Sequence, residues 1–152
     1  MLENVRKRMG REEGFTLVEL LVVMLILGIL AAIAIPSFLS QRDKADDAEA
    51  KAGVRTAQTA AETFGTDNRG DFTGMTVGTA TSDLNTIEPT LNEYGTDLAL
   101  GTPAPGNGTY ALTITSDTGN TFTVKRAADG TIARTCTGDG GCVDSSSTTD
   151  GW

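Results

Sequence analysis

The chain has 152 residues and a formal net charge of -8 at pH 7, a size that fits one domain. The acidic balance argues against general nucleic-acid binding, because neutralising phosphates requires clustered lysine and arginine side chains. The sequence has no histidine, which excludes imidazole chemistry and removes the commonest metal ligand. It also has no nucleophile elbow and no metal-ligand cluster, so we expect a protein that is not an enzyme and holds no cofactor.

Residues 1–14 are polar and basic and indicate a targeting segment that does not fold alone. The following residues 15–39 are apolar except for Thr16, Glu19, Ser37 and the small Gly28. A helix of this length, at about 1.5 Å per residue, spans roughly 37 Å, which is enough for a hydrocarbon core about 30 Å thick. Basic residues ahead of such a segment favour a cytoplasmic N-terminus, which places the rest of the chain outside.

Glu19 is the only charged residue between Phe15 and Gln41. A charge at the centre of a membrane helix costs on the order of 2.5 to 3.5 kcal/mol, and such residues are usually paired or functional. If the chain is cut between Gly14 and Phe15, the new α-amine is positively charged at neutral pH and can meet Glu19 of the same chain or of a neighbour. Glu19 also lies at the helix start, where a negative charge interacts favourably with the helix macrodipole. This second role is compatible with the pairing.

The apolar periodicity continues past residue 40 on one helix face, at Ala50, Val54, Ala57, Ala61 and Phe64. We therefore predict one continuous helix of about fifty residues, amphipathic in its second half, ending at about residue 64. Gly65 is the predicted stop signal.

Residues 65–108 are rich in glycine, threonine, aspartate and asparagine, and they are predicted to form a long surface loop. A short helical turn at 82–91 and an edge strand at 97–102 are possible within it. The sequence Asn107-Gly108-Thr109 matches a glycosylation sequon, but Asn-Gly is first a turn dipeptide, and we favour the turn.

Three runs of strand type follow, at 109–115, 120–127 and 130–136, separated by turn residues. Apolar side chains alternate with polar ones, which predicts an antiparallel β-meander over 109–136 with one apolar face. We expect the apolar face of the amphipathic helix to pack on the apolar face of this meander, so the expected fold class is α+β. Three basic residues in this region indicate a solvated rim more than a nucleic-acid site: Lys125, Arg126 and Arg134.

Cys136 and Cys142 lie close together in a chain that carries an export signal, and most simply form one disulfide. Residues 136–152 then form a disulfide loop and a tail, in which Trp152 can dock. The carboxylates at 139, 144 and 150 do not follow an EF-hand spacing, which favours a solvated acidic loop over a calcium site.

The sequence G-F-T-L-V-E at 14–19, after a basic leader and before an apolar helix with Gly28 and Pro36, resembles the class III signal of type IV prepilins and pseudopilins. The resemblance implies cleavage after Gly14 by a prepilin peptidase, N-methylation of Phe15, and packing of residues 15–39 into a filament core. It implies that Glu19, with Thr16, recruits an incoming subunit by pairing with the Phe15 amine of a neighbour.

Gly28 and Pro36 have a physical role in the same resemblance. Glycine is a weak helix former, and proline removes one backbone hydrogen bond, so the helix between them is expected to bend or open cheaply. In filaments of this family that region is commonly unwound.

Three functions follow as hypotheses. The first is a pilin, the major subunit of a type IV pilus for adhesion, twitching motility or DNA uptake, with residues 40–152 as the globular domain. The membrane-inserted precursor then has its N-terminus inside, polymerises with copies of itself into a surface filament, and requires an assembly platform and an ATPase. The alternatives are a pseudopilin of a type II secretion system and, more remotely, a membrane-anchored binding module or enzyme. An ordinary signal peptide cut at the A-x-A of 32–34 leaves Glu19 and the Gly14-Phe15 junction unexplained.

Overall fold

A computed structural model of the protein describes residues 14–138, residue 142 and residues 151–152. The predicted leader, apart from Gly14, and most of the predicted disulfide loop and tail, including the carboxylates at 139, 144 and 150, lie outside the described residues. The chain divides into two units, Met1–Ser40 and Gln41–Trp152. The helices and strands are helix α1 (Leu17–Asp67), helix α2 (Asp83–Ile87), two 3-10 helices (Pro89–Glu93 and Gly95–Asp97), and strands β1 (Leu98–Leu100), β2 (Tyr110–Thr115), β3 (Thr121–Arg126) and β4 (Ile132–Thr137).

Helix α1 has 51 residues, which confirms the prediction of one continuous helix of about fifty. Leucine and alanine, which favour helices, are frequent in its first half. Pro36 lies inside α1 without ending it. In the second half, the buried positions recur every three or four residues, as expected for one face of an amphipathic helix: Asp47, Ala50, Gly53, Val54, Ala57, Ala60, Ala61 and Gly65.

Gly65 does not end the helix, contrary to the prediction. It is buried, and a Cβ added there would lie 2.6 Å from the ring of Phe72, so this position needs glycine for close approach. The helix runs on to Asp67, after which Arg69 adopts a φ of 59°. The Gly70 N–H donates to the Gly65 carbonyl at 2.7 Å, which is the pattern of a Schellman motif.

The sheet has the strand order β1-β2-β3-β4, and each neighbouring pair is antiparallel. This confirms the predicted meander, and β1 forms within the possible edge strand at 97–102, at one edge of the sheet. Glycines at the two predicted turns adopt the positive φ that tight turns require, 87° at both Gly119 and Gly130. Asn107 and Gly108 also form a tight turn, closed by hydrogen bonds between Gly106 and Thr109.

The core of the second unit lies between the buried face of α1 and one face of the sheet. Its side chains from β2 and β3 are the alternating apolar residues that the sequence predicted: Tyr110, Leu112, Ile114, Phe122 and Val124. Phe64, the last residue of the predicted helix stripe, is half-buried against this core.

The segment predicted as a surface loop is instead a contributor to the core. Residues 65–108 contain α2, both 3-10 helices and β1, and five of their apolar side chains are buried: Phe72, Met75, Leu84, Leu91 and Leu98. Composition misled the prediction, because these apolar residues are widely spaced among polar ones and show neither period 2 nor period 3.6. These side chains are buried because the chain follows an irregular path that brings them to the core. Local sequence periodicity does not predict such a path.

Candidate functional site

The first turn of α1 brings together two of the residues predicted to act in assembly. The Glu19 N–H donates to the Thr16 hydroxyl at 3.2 Å, and the Thr16 N–H and hydroxyl each lie 3.4 Å from Glu19 Oε2. The Leu20 N–H donates to the Thr16 carbonyl at 3.2 Å, which makes Thr16 the N-cap. This is a capping box, and its T-x-x-E pattern is visible in the sequence. The prediction treated the two residues as assembly residues and missed their reciprocal bonds.

Gly14 and Phe15 precede the first turn and are both exposed, Phe15 to 79%. A Cβ added at Gly14 would meet no atom within 4 Å. The geometry of the chain itself therefore does not require glycine at this position. A requirement for Gly14 would have to come from another molecule that contacts the junction.

The first half of α1 carries apolar side chains on every side, and these side chains are exposed in the part of the chain that the structure describes. Among the described residues, α1 is the one helix long and apolar enough to cross a membrane, and its most apolar 18-residue window has a mean hydropathy of 2.9 with none of it buried. Exposed side chains include Leu17, Met24, Ile33 and Phe38, each at least 70% accessible. Apolar surface on this scale marks contact with a membrane or with other proteins.

Gly28 and Pro36 both lie within this exposed part of α1, and a Cβ at Gly28 would meet no atom within 4 Å. Neither residue is therefore required by packing inside the chain. Their predicted role in helix flexibility stays a prediction, because α1 is continuous through both.

The family profile described as the prokaryotic N-terminal methylation motif matches residues 9–35, which contain the Gly14-Phe15 junction, Glu19 and the apolar helix start. This chain carries the prokaryotic N-terminal methylation motif. The chain is 46% identical to the type IV major pilin protein PilA of Myxococcus xanthus over 54 residues, which make up 36% of this chain and 24% of that pilin.

The chain is also similar to the type II secretion system core protein G of several bacteria. The protein from Vibrio cholerae is 39% identical over 62 residues, 41% of this chain and 42% of the relative, and that from Pseudomonas aeruginosa is 40% identical over 58 residues, 38% and 41% of the two chains. The chain thus spans less than half the length of these relatives. No solved structure matches it significantly.

Cys136 and Cys142 form a disulfide with their Cα atoms 5.8 Å apart, as predicted. Cys136 is the last buried residue of β4 and pairs with Phe122 of β3. The bond therefore holds Cys142 at the edge of the core, against which it is packed.

Asp47 is a polar residue that sequence reasoning placed on the helix but did not recognise as buried. It is 5% exposed, and its carboxylate accepts hydrogen bonds from the Thr118 hydroxyl at 2.6 Å and the Asn120 amide at 2.8 Å. Burial raises the pKa of Asp47, but the hydrogen bonds from Thr118, Asn120 and Ser116 and the charge of Lys51 outweigh it and hold the pKa below its ordinary value. The carboxylate thereby ties α1 to the turn between β2 and β3.

A second polar network ties the other end of the helix to the sheet. The hydroxyl of the fully buried Tyr110 donates to Glu62 Oε1 at 2.7 Å, and Arg126 Nε lies 3.2 Å from the same oxygen. Burial, and then the hydrogen bond to Glu62 and its charge, raise the pKa of Tyr110. Arg126 also donates to the Gly108 carbonyl and lies over the Phe72 ring. Arg126 is therefore a structural residue of this network more than a member of a solvated rim.

A groove of about 180 Å³ in the second unit is lined by five carboxylates: Asp46, Glu49, Glu93, Asp97 and Asp117. Across the part of the chain that the structure describes, no group of three or more acidic, cysteine or histidine side chains has the geometry to hold a metal ion. The groove is therefore an acidic surface without a built cation site.

Proposed function

We propose that this chain is a filament subunit of the type IV pilin class, the major subunit of a type IV pilus. The observation that carries the proposal is the exposed apolar helix with its single carboxylate, Glu19, four residues from a glycine-phenylalanine junction. An apolar surface on all sides of a helix requires a membrane before assembly and neighbouring helices after it. The methylation motif and the pilin relative support the same function.

Cleavage after Gly14 changes the electrostatics of the first turn. The new amine of Phe15 lies one residue before the N-cap Thr16 and adds a positive charge beside the Glu19 carboxylate. In the membrane an unpaired carboxylate is costly, so each Glu19 gains from a positive charge on a neighbouring subunit. We propose that this pairing selects the axial position at which an incoming subunit joins the filament.

The processing and assembly machinery belongs to the same proposal. A prepilin peptidase on the cytoplasmic side would cut after Gly14 and methylate the Phe15 amine. Methylation keeps the amine basic and therefore keeps its charge. The precursor would sit in the cytoplasmic membrane with its N-terminus inside, and an ATPase and a membrane platform would extend the filament from the cell.

A pseudopilin of a type II secretion system is the second candidate, because several core proteins G match this chain at similar identity. The two candidates differ in where the processed chain accumulates. Intact mass of the protein in material sheared from the cell surface, compared with the membrane fraction, separates them. A sheared, abundant chain beginning at methylated Phe15 supports the pilin, whereas a processed chain found only in membranes supports the pseudopilin. A chain beginning at Ile35 would refute both.

The capping box supplies a matched pair of variants for the role of Glu19. Glutamine at the same position can still accept from Thr16 and preserve the helix start, but it carries no charge. Glu19→Ala removes both the cap and the charge. Under the pairing proposal, both variants insert in the membrane and are cleaved normally but form few or no filaments. Normal filament yield from Glu19→Gln with failure of Glu19→Ala would mean that Glu19 acts through the helix cap alone.

A further inference from the structure

Gly151 and Trp152 lie against the outer strand of the sheet. The Gly151 N–H donates to the Arg134 carbonyl at 2.9 Å, and the Trp152 indole N–H donates to the Thr135 carbonyl at 3.1 Å. Among the residues that the structure describes, strand β4 is the last in the sheet order and has a strand neighbour on one side only. The Gly151 N–H thus occupies a backbone acceptor on the open side of an edge strand, which is otherwise available for pairing with another chain.

The Trp152 ring reaches from β4 to helix α1. It meets the buried Phe122 ring edge to face, with centroids 6.0 Å apart and an interplanar angle of 82°. The guanidinium of Arg55 on α1 lies 5.1 Å from the centre of the indole ring, and that of Arg134 on β4 lies 5.9 Å from it. Each cation at such a distance is attracted by the negative face of the ring.

Gly151 packs tightly against the backbone of strand β4. Gly151 is buried, and a Cβ added there would lie 3.2 Å from the Cys136 backbone nitrogen and 3.5 Å from the Thr135 Cα. Both obstacles are backbone atoms of a paired strand, which cannot turn away as the end of a side chain can. A branched side chain at 151 would therefore crowd β4, and we expect it to displace the dipeptide.

We propose that Gly151 and Trp152 form a clasp that fastens edge strand β4 to helix α1 and closes the core beside Phe122. In the clasp, the Trp152 indole lies beside the guanidinium groups of Arg55 and Arg134 within the second unit. The proposal does not rest on the filament function proposed above, because it is argued only from contacts within this unit.

Trp152 is the only tryptophan in the chain, so its fluorescence reports directly on the clasp. The test is acrylamide quenching of the full chain in detergent, for the wild type and for Gly151→Val, with N-acetyltryptophanamide as the reference for a free indole. The control is Ala99→Val, which also places a branched valine side chain on an edge strand, at an exposed position of β1 at the opposite edge of the sheet. Far-UV circular dichroism of each variant establishes that it is folded.

The clasp predicts a wild-type quenching slope several-fold below that of the free indole, with blue-shifted emission. Gly151→Val is expected to quench nearly as the free indole does, while Ala99→Val quenches as the wild type does. A wild-type slope equal to that of the free indole overturns the proposal, and this measurement stands even if Gly151→Val does not fold. A folded Gly151→Val with wild-type quenching also overturns it, because shielding by detergent alone would survive the substitution.

Discussion

The buried carboxylate of Asp47 gives the sharpest test of how α1 is held to the sheet. Asp47→Ala removes the acceptor of two hydrogen bonds, from Thr118 at 2.6 Å and from Asn120 at 2.8 Å, at a site that is 5% exposed. Hydrogen bonds to a charged group contribute roughly 1.5 to 3 kcal/mol each, and donors that lose a buried acceptor add to the loss. The better helix propensity of alanine offsets about 0.5 kcal/mol.

Taken together, these contributions give a loss of about 3 kcal/mol in the free energy of unfolding. At about 4 °C per kcal/mol for a unit of this size, the melting temperature falls by about 12 °C. The matched control is Asp43→Ala, which removes an exposed aspartate one turn earlier on the same helix. We expect its effect to stay within about 0.5 kcal/mol, as for most surface substitutions.

The effect of Asp47 depends on pH in a defined direction. Its pKa in the folded protein is below the ordinary value of 3.8, so its contribution is fully present above that value and is lost as the pH falls through the lower folded pKa. The difference between wild type and Asp47→Ala should therefore be constant near neutral pH and shrink below about pH 4.

Urea unfolding of the full chain in a mild detergent, followed by circular dichroism, measures both quantities. Equal stability losses in Asp47→Ala and Asp43→Ala at pH 7 would refute the conclusion that the buried Asp47 carboxylate holds α1 to the turn between β2 and β3. A loss in Asp47→Ala that does not shrink in acid would refute the role of its charge.

Two further predictions concern the opposite end of the helix. Tyr110→Phe removes the hydrogen bond to Glu62 and should cost about 1.5 kcal/mol, the low end for a charged partner, because the Glu62 side chain is 43% exposed. Since the pKa of Tyr110 is raised above its ordinary 10.0, its contribution is present below pH 10.0 and is lost as the pH rises further, a loss that Tyr110→Phe should lack in alkaline denaturation. Gly65→Ala should destabilise the protein by about 1 to 3 kcal/mol, although alanine is normally the better helix residue, because the new Cβ meets the Phe72 ring.

Each of these substitutions has its own control. Tyr94→Phe removes a longer hydrogen bond of 3.3 Å to the Glu49 carbonyl and should cost less than Tyr110→Phe; an equal or larger loss would contradict the network. For Gly65→Ala, the penalty should shrink in a Phe72→Leu background, as measured by a double-mutant cycle. A penalty that is the same in both backgrounds would mean that the ring is not the obstacle.

Trp152 and the loop residues show where sequence reasoning failed in the second unit. The sequence permitted Trp152 to dock but gave no site for it, since its contacts come from α1, β3 and β4, far apart in the chain. Likewise Phe72 and Met75 are buried although their neighbours are polar. Asp47 lies on the predicted amphipathic helix, but a helical wheel cannot reveal that the turn between β2 and β3 supplies hydrogen-bond donors to it.

The sequence by itself determined the N-terminal motif and the fold class. A long apolar run, one carboxylate and a glycine-phenylalanine junction are local features, and the periods 3.6 and 2 that separate helix from strand are properties of neighbouring residues. Only the tertiary structure decided which polar residues are buried and which glycines permit close approach, as at Gly65 and Gly151. Those outcomes depend on contacts between residues far apart in sequence, where the free energy of desolvating a group is set by partners that no local pattern encodes.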